Sequence, residues 1–385
     1  NTDMVVKTSH LPAGGETVLG GDFFMNAGGK GANQAVAAAR YGNRVVFVAK
    51  TGDDLFGKQV RKSLAEDNIV TDYVFVDADH PSGVALITID KEAENCIVVA
   101  PGANMSLSPK DIDVAAEEIR KADVVLMQLE CPVETVAYAA KMAAEAGVRV
   151  ILNPAPAPAE PLSEELMKNL YLITPNRSEA SRISGIEVTN MESAQRAAKA
   201  IHDMGPKNVI ITLGSEGSLL YDGMMSMRVE ALKVEAVDTT AAGDTYNGVL
   251  ASVIAEGKSL IDAVHEANIA GAISVTRMGA QPAAPTREEI IAAWNAMHGG
   301  IPQERLQLIQ SWKDAGHRLF LLSNNNELHW EHILSQYDMS MFEYCFASHL
   351  LHLSKPDPRI YEAVDAQIKQ KGCEGPFHFV DDILI

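Results

Sequence analysis

The sequence predicts an α/β protein built on a mostly parallel sheet. Three observations carry that prediction: from about residue 25 to 298 apolar strand-like runs alternate with Ala-rich helical patterns, small or polar residues gather where the apolar runs stop, and helical stretches close on Gly. The candidate strands are RVVFVAK (44–50), ADVVLMQLE (122–130), RVILNPAP (149–156), LYLITPN (170–176) and NVIITLG (208–214). Between them lie segments such as PVETVAYAAKMAAEAG (132–147), with apolar residues at helical spacing and a terminal Gly. Such alternation calls for crossover units, which leave neighbouring strands parallel. Two segments break the pattern. Residues 4–27 and SGVALITIDKEAENCIVVAPG (82–102), the latter a hairpin turning near DKEAEN, are expected to form a small antiparallel sheet, a lid beside the main one. Asn1 to Val6 reads as the tail of a strand whose first part is absent.

At 385 residues the chain has room for two or three domains, and its 47% hydrophobic and 22% charged residues are those of a soluble globular protein. A net charge of −19 argues against general affinity for nucleic acid or an anionic membrane surface, so any phosphate must be held in a local pocket. Cys96, Cys131, Cys345 and Cys373 stand far apart with no C-x-x-C pair, which suggests neither a zinc site nor a disulfide framework and fits a reducing cytoplasm. No apolar run approaches the length needed to span a bilayer. After about Gly300 the character changes: six of the eleven histidines and two of the three tryptophans lie from residue 311 on, and alanine becomes sparse. MHGGIPQE (297–304) is the expected break, dividing the chain into domains at 1–298 and 301–385.

Chemistry concentrates at strand ends, where open parallel sheets bind ligands. In KVEAVDTTAAGDTYNGVL (233–250) Asp244 stands behind Ala241, Ala242 and Gly243 at a helix start; it serves there as a cap, or the small residues open the first-turn N–H groups to an anion. NAGGKGANQAVAAAR (26–40) is a glycine-rich turn entering a helix, without the Walker pattern of a P-loop. Glu130 ends a hydrophobic strand in QLECP, either as a ligand or as an exposed carboxylate. TPNRSEAS sets Asn176 and Glu179 three apart, a spacing that capping explains equally well. In ITLGSEGSLLY, Gly214, Ser215 and Gly217 make a tight turn open to a planar ligand, or merely a hairpin.

Taken together and in order, D-M-V, GGKGANQA, MQLE, TPN-x-x-E, TLGSEG and DTTAAGDTYNG resemble the ribokinase/PfkB family of carbohydrate kinases over about residues 1–298. The resemblance implies a Rossmann-like α/β domain with a small β lid, often used for homodimerisation. It implies transfer of the γ-phosphoryl of ATP to the 5-hydroxyl of ribose, or of another pentose, in a catalysis of positioning and charge stabilisation. By the same match Asp244 is the base, and Ala241, Ala242 and Gly243 form the anion hole. Asn1, Asp3, Gly29, Lys30, Asn33 and Glu130 hold the sugar, while Asn176, Thr212 to Gly217 (with Gly214 and Ser215), Gly243 and Asn268 contact the nucleotide. Glu179 helps organise magnesium through water; Asp238, Thr240, Ser274, Arg277, Gly279 and Ala283 match a potassium site, with Ala283 replacing a frequent serine.

The last 85 residues resemble a different family. LFLLSNNNELHW (319–330), LSKPDPRIYE (353–362) and FHFVDDILI (377–385) are similar to the second, third and fourth motifs of haloacid-dehalogenase-like phosphatases. That match implies phosphate binding by Ser323 and Asn324, charge neutralisation by Lys355, and magnesium at Asp381 and Asp382. The D-x-D motif that supplies the nucleophile is missing between Ile301 and Ile385, so the tail reads as an incomplete phosphatase domain, or as an interaction module. A bifunctional kinase and sugar-phosphate phosphatase is the alternative.

Overall fold

The computed structural model describes residues 1–375 apart from 93, 297–300, 326, 352, 354 and 356. Asp381 and Asp382 therefore lie outside the described residues. The chain divides into two compact units, Asn1–Ile290 and Ile291–Ile385. The division falls within the helix Arg287–Ala296, before the Gly-Gly-x-Pro break, because the chain is still part of the first core at Ile290, which is fully buried.

In the first unit the strands are β1 (Thr2–Lys7), β2 (Phe23–Ala27), β3 (Ala49–Gly52), β4 (Val74–Asp77), β5 (Val84–Ile89), β6 (Asn95–Ala100), β7 (Val124–Met127), β8 (Arg149–Leu152), β9 (Leu172–Ile173), β10 (Asn208–Thr212), β11 (Ser218–Tyr221) and β12 (Ser226–Val229). The main sheet runs β12-β11-β10-β9-β8-β7, with β7 to β10 parallel and β11 and β12 added antiparallel through the turn at Gly214–Glu216. Helices such as Val133–Glu145 and Met191–His202 cover it through Ala-rich faces, burying Ala139, Ala140, Ala143, Ala194, Ala197 and Ala198 against Val150, Leu152, Ile173, Val209 and Ile211. Burial on both faces is why these strands read as continuous apolar runs. The run at 44–50 becomes a strand only at Ala49; before it, Val46 makes a single bridge to Val70 and the run packs on the helix Lys30–Tyr41.

The lid is a four-stranded sheet in the order β2-β1-β5-β6. It is mixed rather than wholly antiparallel: β1 and β5 pair parallel, because the chain between them crosses over through β3 and β4 instead of turning straight back. Asp3, Asn26, Ala85 and Val99 occupy one register row and so share one face; Met4, Met25, Leu86 and Val98 occupy the next row and share the opposite face. Two long helices, Lys30–Tyr41 and Ala242–Ala255, cross closely at Gly248, where a Cβ would stand 2.4 Å from the Gln34 carbonyl oxygen.

In the second unit, β13 (Phe320–Ser323) and β14 (Tyr344–Ala347) pair parallel. The helix Pro358–Gln370 presents Ile360, Val364 and Ile368 at helical spacing, with Val364 and Ile368 packed around Phe346. Asn324 clasps the backbone of Lys355, donating from Nδ2 to its carbonyl at 2.8 Å and accepting its N–H at 2.7 Å. Ser323 and Asn324 thus sit at the end of β13 beside Lys355. No described helix is long and apolar enough to cross a membrane.

Candidate active site

The helix Ala242–Ala255 enters through Ala241, whose φ of 57° is left-handed, an arrangement a non-glycine residue adopts at a cost and one that concentrates at functional sites. The first intrahelical bond runs from the Thr245 N–H to the Ala241 carbonyl. The N–H groups of Gly243 and Asp244 therefore have no acceptor within the helix, and the helix dipole makes this turn attractive to anions. The Ala242 N–H turns back to the Thr239 carbonyl at 3.3 Å. A Cβ on Gly243 would meet nothing within 4 Å, so the approach to this turn is open.

Asp244 points the other way, into the protein. Its Oδ2 accepts from Asn33 Nδ2 at 2.9 Å and its Oδ1 from Gln34 Nε2 at 3.0 Å, and the residue is 7% exposed. Burial pushes its carboxyl above the ordinary carboxylate range; the Lys30 charge and the two amide bonds pull it back, and Glu130 adds to the rise. Capping does not account for Asp244: the cap position is Ala241, and the carboxylate is bonded to side chains of another helix.

The expected sugar residues converge around it. Glu130 accepts from the Lys30 N–H at 2.7 Å and from Asn1 Nδ2 at 3.4 Å, and Asn1 Oδ1 accepts from Asn104 Nδ2 at 2.6 Å. Asp3 lies against Gly28, where a Cβ would stand 2.2 Å from its carboxylate; Gly29 turns the chain at φ 90° into the helix that carries Lys30 and Asn33. Burial raises the Asp3 carboxyl too, with Glu130 and Asp244 adding to the effect. Asn33 Oδ1 is buried with no protein partner. A buried acceptor left unmade is costly, and this oxygen is open to a donor that the protein does not supply, water or ligand.

The expected nucleotide residues form a second group. Asn176 and Glu179 make a reciprocal capping box, Asn176 Oδ1 accepting the Glu179 N–H at 2.9 Å and Glu179 Oε2 the Asn176 N–H at 2.8 Å. Burial raises the Glu179 carboxyl as well. Asn176 bridges to Thr212, whose strand leads into the turn holding Gly214 (φ 62°), Ser215 and Gly217 (φ 88°); at Gly217 a Cβ would strike the Val229 carbonyl. The Asn268 amide is engaged within the protein, accepting from Ser218 Oγ at 3.0 Å and donating to the Val229 carbonyl at 3.4 Å.

Around the candidate potassium loop, Asp238 accepts the Thr240 N–H and the Gly279 N–H, each at 2.9 Å. Burial opposes ionisation there, but the bonds from Thr240 and Gly279 hold its carboxyl below the ordinary range. Gly279 has φ 90°, Ser274 Oγ donates to the Gly271 carbonyl, Arg277 is paired with Glu289, and Ala283 is fully buried. Arg40 Nη1 reaches the same loop, donating to the carbonyls of Gln281 at 2.6 Å and Ala284 at 3.2 Å. Among the described residues no group of three or more His, Cys, Asp or Glu is poised to hold a metal.

Five polar residues at the centre of the site were given no role from the sequence, although all but Asn153 lie within the motifs that carry the resemblance. Gln128, Asn153 and Thr174 each directly follow β7, β8 and β9, and Gln34 and Asn247 face them from the two long helices.

A buried carboxylate beside a sugar-suited set of amides and carboxylates, backed by a helix N-terminus open to an anion, defines a phosphotransferase acting on a polyhydroxylated acceptor. The profile of the pfkB family carbohydrate kinases matches residues 1–287, and the chain belongs to that family. It is 42% identical over 291 residues to the ribokinase of Haemophilus influenzae, covering 76% of this chain and 94% of that one. It is 36% identical over 287 residues to the deoxyribokinase of Salmonella typhi, covering 74% and 94%. Among solved structures it resembles Arabidopsis thaliana ribokinase complexed with ribose and ATP, with TM-score 0.71 and 32% identity over 76% of this chain and 95% of that one. The first unit thus has the ribokinase fold, and the matched region ends before the tail.

Proposed function

We propose that this carbohydrate kinase transfers the γ-phosphoryl of ATP to the 5-hydroxyl of D-ribose. The observation that carries the reading is Asp244: a buried carboxylate, held by two neutral amides, between the sugar-suited residues and the open helix turn. The 5-hydroxyl oxygen attacks phosphorus, the bond from the γ-phosphorus to the β–γ bridging oxygen breaks, ADP leaves, and the hydroxyl proton passes to Asp244. The N–H groups of Gly243 and Asp244, with Ala241 and Ala242 shaping the turn, stabilise the charge on the transferring group. Asn1, Asp3, Gly29, Lys30, Asn33 and Glu130 bind the sugar hydroxyls, and the unpartnered Asn33 Oδ1 accepts from one of them. Asn176, Thr212 to Gly217 and Asn268 frame the nucleotide.

Magnesium fits this donor set only as a companion of the nucleotide, since no group of three or more His, Cys, Asp or Glu is poised to hold a metal among the described residues and Glu179 is the one buried carboxylate of the expected nucleotide group; the ion would neutralise phosphate charge. A potassium ion suits the Asp238 loop, with one carboxylate, the Thr240, Ser274, Arg277, Gly279 and Ala283 backbone, and no side-chain oxygen at Ala283. The apolar row Met25, Met4, Leu86 and Val98 on the lid's outer face, with Leu86 52% and Val98 60% exposed, supports a homodimer through the lid. The deoxyribokinase among the relatives supports a second reading in which deoxyribose is the better acceptor. Coupled ADP release across ribose, deoxyribose, other pentoses and hexoses tests both. Greater kcat/KM for a hexose than for either pentose refutes the pentose reading. In the tail, Ser323, Asn324 and Lys355 support phosphate binding, but without a D-x-D carboxylate no phospho-aspartyl intermediate forms there.

A further inference from the structure

Met127, Leu152 and Ile173 lie in one register row across β7, β8 and β9. The next residues, Gln128, Asn153 and Thr174, form a polar row at the carboxyl ends of three parallel strands, and every side chain in it is bonded toward the base. Gln128 Nε2 donates to Gln34 Oε1 at 2.5 Å; Gln34 Nε2 donates to Asn153 Oδ1 and to Asp244 Oδ1, both at 3.0 Å. Asn153 Nδ2 donates to the Thr174 carbonyl at 3.0 Å, Thr174 Oγ1 to Asn247 Oδ1 at 2.5 Å, and Asn247 Nδ2 to the Gly243 carbonyl at 2.8 Å. The network leaves the base at its carboxylate and returns to it at the peptide just before it.

We propose that Gln34 is a positioning residue for the base, and that the strand-end row through Thr174 and Asn247 holds carboxylate and anion-hole turn as one rigid unit. The inference rests on the assignment of Asp244 as base. Gln34 is suited to this because both its ends are committed: Gln128 fixes its oxygen and Asn153 one of its hydrogens, so the remaining hydrogen has a single direction. Asn33, the other donor to Asp244, has a free oxygen and lacks that restraint. Neutral donors also steady an ionised carboxylate without adding charge to a pocket that already holds Lys30 on its helix, Glu130 beyond β7, Asp3 on β1 and Glu179 across the sheet.

The test uses the full chain with Gln34→Ala, Gln34→Glu, Thr174→Val and Asp244→Asn in parallel, read as kcat, sugar KM, the pH profile of kcat, and Tm. Gln34→Ala is expected to lower kcat by roughly ten- to a hundredfold, the scale of a misplaced catalytic group, with sugar KM changed less than about threefold. The acid limb of the profile should move to higher pH, further in Gln34→Glu, where two carboxylates share one site. Thr174→Val keeps shape and removes only the hydroxyl, so it should lower kcat in the same direction if Gln34→Ala fails to fold. Unchanged kcat and an unmoved limb in Gln34→Ala, or in Thr174→Val where that is the folded variant, overturn the inference while Asp244→Asn is inactive. An active Asp244→Asn overturns instead the assignment of the base.

Discussion

Replacing Asp244 with asparagine should abolish most catalysis while leaving the fold as stable as before, or more so. The structure shows why the substitution is clean. The introduced amide can keep its oxygen toward Gln34 Nε2, which Asn153 and Gln128 hold in place, and turn its nitrogen toward Asn33. The Asn33 amide then needs only to flip, presenting the oxygen that has no partner in the parent protein. The flip carries the Asn33 nitrogen to the place its unpartnered oxygen held, so the pair keeps one buried atom without a protein partner, as in the parent. The charge has gone as well: because burial raises the Asp244 carboxyl in the folded state, the folded protein holds that proton more tightly than the unfolded chain. The associated stability is therefore present at low pH and lost as pH rises through the folded value. At about pH 7.5 the asparagine variant should melt at or above the parent, with a smaller advantage at a lower pH, where Asp244 takes up its proton. Loss of a positioned general base lowers kcat by about a hundredfold or more, a barrier increase of about 2.7 kcal/mol. Coupled ADP release with ribose and thermal melts at both pH values measure the two effects. A kcat within threefold of the parent in a normally melting variant refutes the base; a Tm several degrees lower refutes the flipped-amide argument.

The other predictions concern the surroundings. Gly28→Ala places a methyl 2.2 Å from the Asp3 carboxylate and should raise sugar KM roughly tenfold, about 1.4 kcal/mol, with little change in nucleotide KM, as initial rates will show. Exchanging potassium for sodium or lithium at constant ionic strength should lower activity, and Arg40→Ala, which frees the Gln281 and Ala284 carbonyls, should raise the potassium concentration needed for half-activation; equal rates in all three salts count against the loop. Leu86→Lys on the lid's outer face should shift light-scattering mass toward the monomer, whereas an unaltered dimer mass rules out that face. A chain ending at His298 should keep its ADP-releasing activity, and total loss of turnover in a folded truncation would show that the tail contributes.

The glycine turns and the Asp244 helix were legible because their function demands unusual residues. Gly29, Gly214 and Gly217 need positive φ, and Ala-Ala-Gly leaves room above a helix start. Asn176 and Glu179 show why spacing alone stayed ambiguous: they do form a capping box, and the same buried carboxylate still lies close enough to Lys30 and Asp244 to feel their charges. Gln34 was illegible for the opposite reason. In an Ala-rich helix a glutamine looks like an ordinary surface helix former, and only the close crossing at Gly248 buries it. Gln128, Asn153 and Thr174 hid as the first polar residues after apolar runs, and only the sheet register aligns them. The lid's parallel pairing depends on a crossover spanning about eighty residues, far beyond the local pattern that suggested a hairpin sheet.

The contacts of the proposed sugar site join Asn1 to Glu130 across 129 positions, Lys30 to Glu130 across 100 and Asn33 to Asp244 across 211. Nothing shorter than most of the first unit carries the complete pocket, so a nascent or partly unfolded molecule offers the sugar no equivalent foothold. Ligand that binds only the finished state adds RT ln(1 + [L]/Kd) to its stability, about 2.7 kcal/mol at a hundredfold excess over Kd. A sugar that binds there would therefore favour completed molecules over open chains, which proteases attack more readily.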